Sequence, residues 1–208
     1  MRLLNLSTSL ILIIFPVSSF AGVEIVRGSG PSHLANEFQQ GLVRVMKEAN
    51  SLGIEGRYKK LVPLIRTIFH LEVMSASVTT PYWRTATSDQ KLLFVKAFTE
   101  MSVATLATLF DSYNGEVFNV LRERKIKHRI VVVDAEIKKS DEGVVEISYV
   151  AVLYGGRWWI IDIIVEGGIS EIKKRKNEFI KTLSEGGLPK LTNLLHRRAL
   201  DLVSNIVK

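Results

Sequence analysis

From about residue 33 to residue 111 the apolar positions recur at three- and four-residue steps. Leu34, Phe38, Leu42, Val45 and Met46 make one such stripe, the face of an amphipathic helix. Leu61, Leu64, Ile65, Ile68 and Phe69 repeat it beyond a break at Gly53 and Gly56, with Pro63 near that helix's start or bending it. Thr87-Ser88-Asp89-Gln90 reads as a capping box, in which a threonine hydroxyl and a glutamine side chain satisfy the free N–H groups of a helix start. The helix it opens runs to about Phe110, and its apolar set is wider than one stripe. Such a helix is expected to be buried on more than one side, or to line something greasy.

After Tyr113-Asn114-Gly115 the period falls to two. Phe118 to Leu121 reads as a short edge strand, and Ile130 to Ile137 as a β-branched strand. Ser140 to Gly143 is a turn. Val144 to Tyr154 follows, with Val145, Ile147, Tyr149, Ala151 and Leu153 on one face. Tyr154-Gly155-Gly156-Arg157 is a tight hairpin connection. Strict alternation in Trp158 to Val165 puts Trp159, Ile161 and Ile163 on one face, and Trp158, Ile160 and Asp162 on the other. Asp162 reads as a hydrogen-bonded structural carboxylate. Ser170 to Ser184 is a helix ended by Gly186-Gly187, and Leu191 to Ile206 is the last. Helices, then antiparallel strands, then helices indicate an α+β domain: a twisted antiparallel sheet with several helices across one face. Such a cone has room for an apolar cavity between sheet and helices.

The N-terminus changes the picture. One charge at Arg2, a short apolar run from Leu10 to Val17, and small residues at Ser19 and Ala21 follow the signal-peptide order. The run is shorter than the roughly 20 residues a spanning helix needs. We therefore expect residues 1–21 to be removed on export, 22–32 to be a flexible lead-in, and 33–208 to be one domain. The chain has no cysteine, which excludes a lipid-modified cysteine anchor. Its net charge is +7, or 7 − 1 = +6 without Arg2. That balance suits anionic headgroups or membrane surfaces, and export argues against nucleic acid. Basic residues gather at Lys59-Lys60, Arg122 to Arg129, Lys173 to Lys176 and Arg197-Arg198. They read either as solvated faces or as docking sites for acidic partners and anionic headgroups.

Little in the chain points to catalysis. His33, His70, His128 and His196 lack metal-ligand spacing, and no nucleophile-elbow or phosphate-loop motif is present. His70 with Glu72, or Asp111 with Tyr113, could meet as an acid–base pair. We expect no cofactor and no enzymatic activity. A small-molecule enzyme and a protein-binding adaptor are the alternatives.

Trp158 to Gly167 followed by Ile169-Ser170 resembles the strand-and-turn signature of the MlaC family, also called toluene-tolerance or ABC-transporter auxiliary proteins. Lys176 to Phe179, Gly186-Gly187-Leu188 and Leu191 to Leu195 look like the end of the same domain. Pro81 to Thr87, with Gln90, Phe94, Ala97 and Phe98, is similar to its central helix hairpin. Phe110 to Glu116, the Met101 to Leu109 run and Gly168 to Glu171 look more like the hopanoid-associated branch, HpnM. The resemblance covers roughly residues 33–198.

It implies an α+β fold related to the NTF2-like cone, with lipid tails held between sheet and helices. It implies a soluble periplasmic shuttle between an inner-membrane transporter component and an outer-membrane complex, with transient membrane-surface contact. Phospholipid is the cargo of the main branch, and a hopanoid that of the other. A sixteen-carbon tail in water costs about 12 kcal/mol, at about 0.8 per CH₂, so a carrier needs a lining free of polar atoms seeking partners. We expect Met74, Val78, Tyr82, Trp83, Phe94, Phe98, Met101, Val133, Ile147, Tyr149, Ala151, Trp159, Ile161 and Ile163 to form it.

Overall fold

The computed structural model describes residues 30–140 and 143–204. The expected signal peptide and most of the lead-in lie outside the described residues, as do Asp141 and Glu142 of the turn, and Ile206. Five helices come first: α1 (Pro31–Lys47), α2 (Ala49–Ile68), α3 (Leu71–Thr79), α4 (Tyr82–Thr85) and α5 (Ser88–Leu109). A sheet follows: β1 (Val117–Lys127), β2 (Ile130–Lys138), β3 (Val144–Tyr154), β4 (Arg157–Val165) and the short β5 (Ile169–Ser170). One long helical run, α6 (Glu171–Ser204), ends the described chain. The strands pair antiparallel in sequence order, β1-β2-β3-β4-β5. The fold is the expected α+β arrangement.

Local chemistry sets the boundaries. At α5, the Thr87 side chain accepts from the Gln90 backbone N–H at 3.2 Å, and the Gln90 side chain accepts from the Thr87 N–H at 3.0 Å. The predicted capping box is complete. Gly155 and Gly156 both adopt positive φ, 59° and 80°, as a tight turn between twisted strands demands. α2 passes through Gly53 in a non-helical conformation, so the expected break is a kink inside one run. α6 is likewise kinked, at Gly186 and Gly187, where two helices had been expected. The positive φ of Gly187 (62°) costs glycine little and would strain another residue. Pro31 and Ser32, expected in the lead-in, open α1.

Two apolar clusters hold the layers together. The first joins α1 and α2 to the inner face of the sheet through Phe38, Leu42, Leu61, Ile65, Val133, Tyr149 and Ile160. The second joins α3, α5 and α6 through Val78, Phe94, Ala97, Phe98, Phe179, Leu183 and Leu191. Met74 packs against both. Full burial of one such side chain stabilises by about 1.5–3 kcal/mol. Among the described residues α5 alone is long and apolar enough to cross a membrane by length and composition. Here it packs between α2 and α6.

The sheet differs from the sequence reading in β1, in β4 and in the short β5, where Ser170 pairs with Ile164 instead of opening the helix. β1 is eleven residues long rather than a short stretch at Phe118 to Leu121. In β4, Val150 pairs with Asp162 and Ala151 with Ile160, which leaves Ile161 as the extra residue of a bulge. A one-residue insertion exchanges the faces of everything on one side of it. Trp159 pairs with Val152 and Ile163 with Tyr149, so the two do not share a face. Trp158 and Ile160 join Ile163 on the inner face. Trp159 and Asp162 lie on the outer one.

Candidate functional site

A cavity of about 450 Å³ lies between the inner face of the sheet and the helices. That is within the range of small-molecule sites, about 300–1,000 Å³. Phe38 and Leu42 of α1, Ile65 of α2, and Phe69, Leu71 and Met74 form one wall. Phe98, Ser102, Thr105, Leu106 and Leu109 of α5 form a second. The floor is the sheet, through Phe118, Ile137, Ile147, Tyr149, Ile163 and Val165. Leu109 (68 % exposed) and Phe110 at the end of α5, and Glu171, Ile172, Lys174 and Arg175 at the start of α6, lie where the lining reaches solvent.

The polar atoms of the inner lining have partners. The Ser102 hydroxyl donates to the Phe98 carbonyl at 2.7 Å, and the Thr105 hydroxyl to the Met101 carbonyl at 2.8 Å. Both point their hydrogen bonds back into α5 and leave methyl, methylene and ring surface toward the space. The Tyr149 hydroxyl accepts from the Gln39 amide at 3.3 Å. Burial pushes the Tyr149 phenol up to about 12, so it is neutral at any working pH. Behind it, Gln39 Oε1 is buried without a hydrogen-bond partner. Charge is confined to the mouth. Lys174 lies 3.7 Å from Glu171, and Arg175 3.0 Å from Glu178.

Asp162 positions this mouth from the opposite face of the sheet. Its carboxylate accepts from the Ser170 hydroxyl at 2.6 Å and from the Ile172 backbone N–H at 3.1 Å. Ser170 in turn accepts from the Lys173 N–H. The start of α6 is thereby capped, and Glu171 to Arg175 are held over the cavity. The reading of Asp162 as a structural carboxylate holds, although it lies on the face of Trp159 rather than Trp158.

The sequence profile of the family described as MlaC protein matches residues 36–197. The chain belongs to the MlaC family. The solved structure of the phospholipid-binding protein from Ralstonia solanacearum, in complex with a phospholipid, shares the fold with a TM-score of 0.71. It is 17% identical, and the alignment covers 81% of this chain and 96% of that one. No curated protein matches the chain in sequence.

Within this MlaC fold the expected lining residues divide into groups. Met74, Phe98, Ile147, Tyr149 and Ile163 line the cavity. Val78 and Phe94 are fully buried in the second cluster, with Tyr82, Trp83 and Met101 packed against it. Val133 and Ala151 are fully buried under the sheet's inner face. Ile161 is the bulged residue. Trp159 sits outside, its ring 5.2 Å from that of His70 and under the Arg157 guanidinium. The lining residues that the sequence reading missed, such as Leu42, Ile65, Leu106 and Phe110, follow the same helical periodicity as their packed neighbours. For Leu106 the available signal was the unusually wide apolar surface of α5.

The candidate acid–base pairs have other roles. His70 Nδ1 accepts from the Val73 N–H and caps α3, while its ring packs on Tyr154. Asp111 accepts from Ser112, and the Tyr113 ring lies under Lys47. Neither pair lines the cavity. Among the described residues no cluster of three or more metal-ligating side chains occurs.

Proposed function

We propose that this protein is a periplasmic lipid carrier whose cargo tails occupy the cavity between α1, α2, α5 and the sheet. The observation that carries the reading is an apolar space whose inner polar groups are already hydrogen-bonded, while charged groups stand only at its mouth. A tail inside escapes about 0.8 kcal/mol of exposure per CH₂. It meets no unpaired hydroxyl that would ask for water. Lys174 and Arg175 stand where the headgroup emerges and suit a phosphate. Met74, Phe98, Ile147, Tyr149 and Ile163, with Leu106 and Leu109, are the proposed ligand contacts.

Phospholipid is the proposed cargo, as in the phospholipid-binding relative. A specific observation keeps a hopanoid as the second reading. The residues that resemble the hopanoid-associated branch include Phe110 and Glu171, and both border the cavity mouth. The carrier is proposed to receive and deliver lipid through an inner-membrane transporter component and an outer-membrane complex.

The test is extraction of the purified protein with organic solvent, followed by mass spectrometry, and uptake of labelled lipid by the stripped protein. Co-purifying phospholipid or hopanoid supports the reading and tells the two cargoes apart. A lipid-free extract together with no uptake from vesicles would overturn it.

A further inference from the structure

We infer that the hairpin end of the sheet, remote from the cavity mouth, is a contact surface for an anionic lipid bilayer. Phe118 and Ile137 border the cavity near one end of β1 and β2, and the turn joining these strands is at the other. At about 3.3 Å per residue, the eleven-residue β1 carries the chain about 30 Å from the mouth. There it presents Lys125, Lys127, His128 and Arg129 in nearly unbroken sequence.

This charge is not neutralised locally. Glu123 is occupied by the Ser32 backbone N–H at 2.8 Å. Asp134 is occupied by Arg122 and Arg124. Among the described residues Lys125, Lys127 and Arg129 have no ion-pair partner. Ile126 falls at the register shift between Lys125 and Lys127 and is 52 % exposed in the middle of the cations.

The second hairpin lies alongside. The Leu153 N–H donates to the Arg129 carbonyl at 3.0 Å. Tyr154 is 60 % exposed, and the Arg157 guanidinium lies 3.7 Å from the centroid of the Trp159 ring. Lys127, Ile130, Val152 and Trp159 pair in one row across four strands. Cations around an exposed aliphatic side chain, flanked by tyrosine and tryptophan, match the polar–apolar boundary of a bilayer. An acidic protein surface would account for the cations but not for Ile126 and Tyr154 beside them. Contact at this end leaves the mouth free, and it does not depend on what the cavity holds.

The experiment is sedimentation with phosphatidylcholine vesicles, with and without phosphatidylglycerol. The wild type is expected to bind the anionic vesicles far better than the neutral ones, and less as salt rises. Lys125→Gln, Lys127→Gln and Arg129→Gln together should weaken binding on the order of a hundredfold, at about fivefold per cation. Ile126→Ser alone should weaken it several-fold. Arg197→Gln with Arg198→Gln, a second basic pair on α6, should leave it near wild type. Unchanged thermal unfolding and unchanged extracted lipid in each variant separate this surface from the carrier site. The inference is overturned if the wild type ignores anionic vesicles, if binding is indifferent to salt, or if the α6 pair matters as much as the hairpin. Should the triple variant not fold, Ile126→Ser and the salt series on the wild type decide.

Discussion

Tyr149 on β3 and Ile163 on β4 stand directly opposite each other, and both line the cavity. Their pairing depends on the bulge at Ile161. Without the extra residue, Ile163 would leave the inner face and Asp162 would replace it, putting a carboxylate into an apolar floor. The relationship makes the floor a place to test occupancy. Ile163→Phe with Ile147→Phe adds volume to space that the protein's own side chains leave unfilled. In a filled core such overpacking costs about 1–3 kcal/mol. Here we expect stability to change by less than about 1 kcal/mol while lipid occupancy falls sharply. Thermal unfolding and quantitative lipid extraction on the same samples check both halves. A large loss of stability with undiminished lipid would mean the floor is packed core.

Much of this arrangement could be read from the residues. The α5 capping box, the Gly155-Gly156 turn and the inward set Ile147, Tyr149 and Ala151 each follow from local chemistry or period. What escaped the reading was non-local. From Arg122 to Lys127 β1 has almost no apolar alternation, because it is an edge strand whose exposed charges discourage further pairing. It is extended because β2 pairs with it along its length. The bulge at Ile161 leaves no mark in a run that is apolar on both faces, as Trp158 to Val165 is at every position but Asp162. Likewise, periodicity separates inside from outside. It does not separate a side chain that meets a neighbour, such as Val78, from one that meets a hole, such as Leu106.

Asp162 ties the edge of the sheet to the mouth, so its removal should loosen both. Asp162→Ala strips the acceptor from the Ile172 N–H and the Ser170 hydroxyl. Losing a helix N-terminal cap costs about 0.5–2 kcal/mol. We expect that drop in stability, together with faster release of bound lipid to acceptor vesicles. Asp162→Asn keeps one acceptor oxygen and should recover most of the stability. A stable Asp162→Ala protein with an unaltered release rate would show that the cap does not hold the mouth.

Asp134 predicts an acid limb in the stability profile. Hydrogen bonds from Arg124, Arg122 and Ser148 outweigh the effect of burial and hold its carboxyl well below the usual carboxylate range. A folded-state pKa below the unfolded value, about 3.9, gives a contribution that is complete above the unfolded pKa. That contribution is lost as pH falls from there toward the folded value. Both arginines are substantially exposed, so its size is discounted to about 1 kcal/mol. Asp134→Asn should therefore lower the unfolding midpoint at pH 7. It should also flatten the decline below about pH 4. Parallel wild-type and mutant curves between neutral and strongly acid pH would contradict this account.

Arg57 is the one buried charged residue among the described residues. Its guanidinium donates to the Ala107 carbonyl at 2.8 Å and to the Ala49 carbonyl at 3.0 Å, joining the end of α5 to the start of α2. Both carbonyls belong to residues that are themselves buried. Arg57→Met keeps much of the apolar stem and removes both donors. An unsatisfied buried polar group costs about 1–3 kcal/mol, so the pair should cost about 2–4 kcal/mol after partial relaxation. Because Ala107 lies in the last turn of α5, two residues before Leu109 and three before Phe110, the same change should fray that turn beside the cavity mouth. Hydrogen exchange would then show lost protection at the N–H groups of Leu109 and Phe110 before global unfolding. Uniform loss across all helices would instead assign Arg57 to the global core, with no special hold on the mouth.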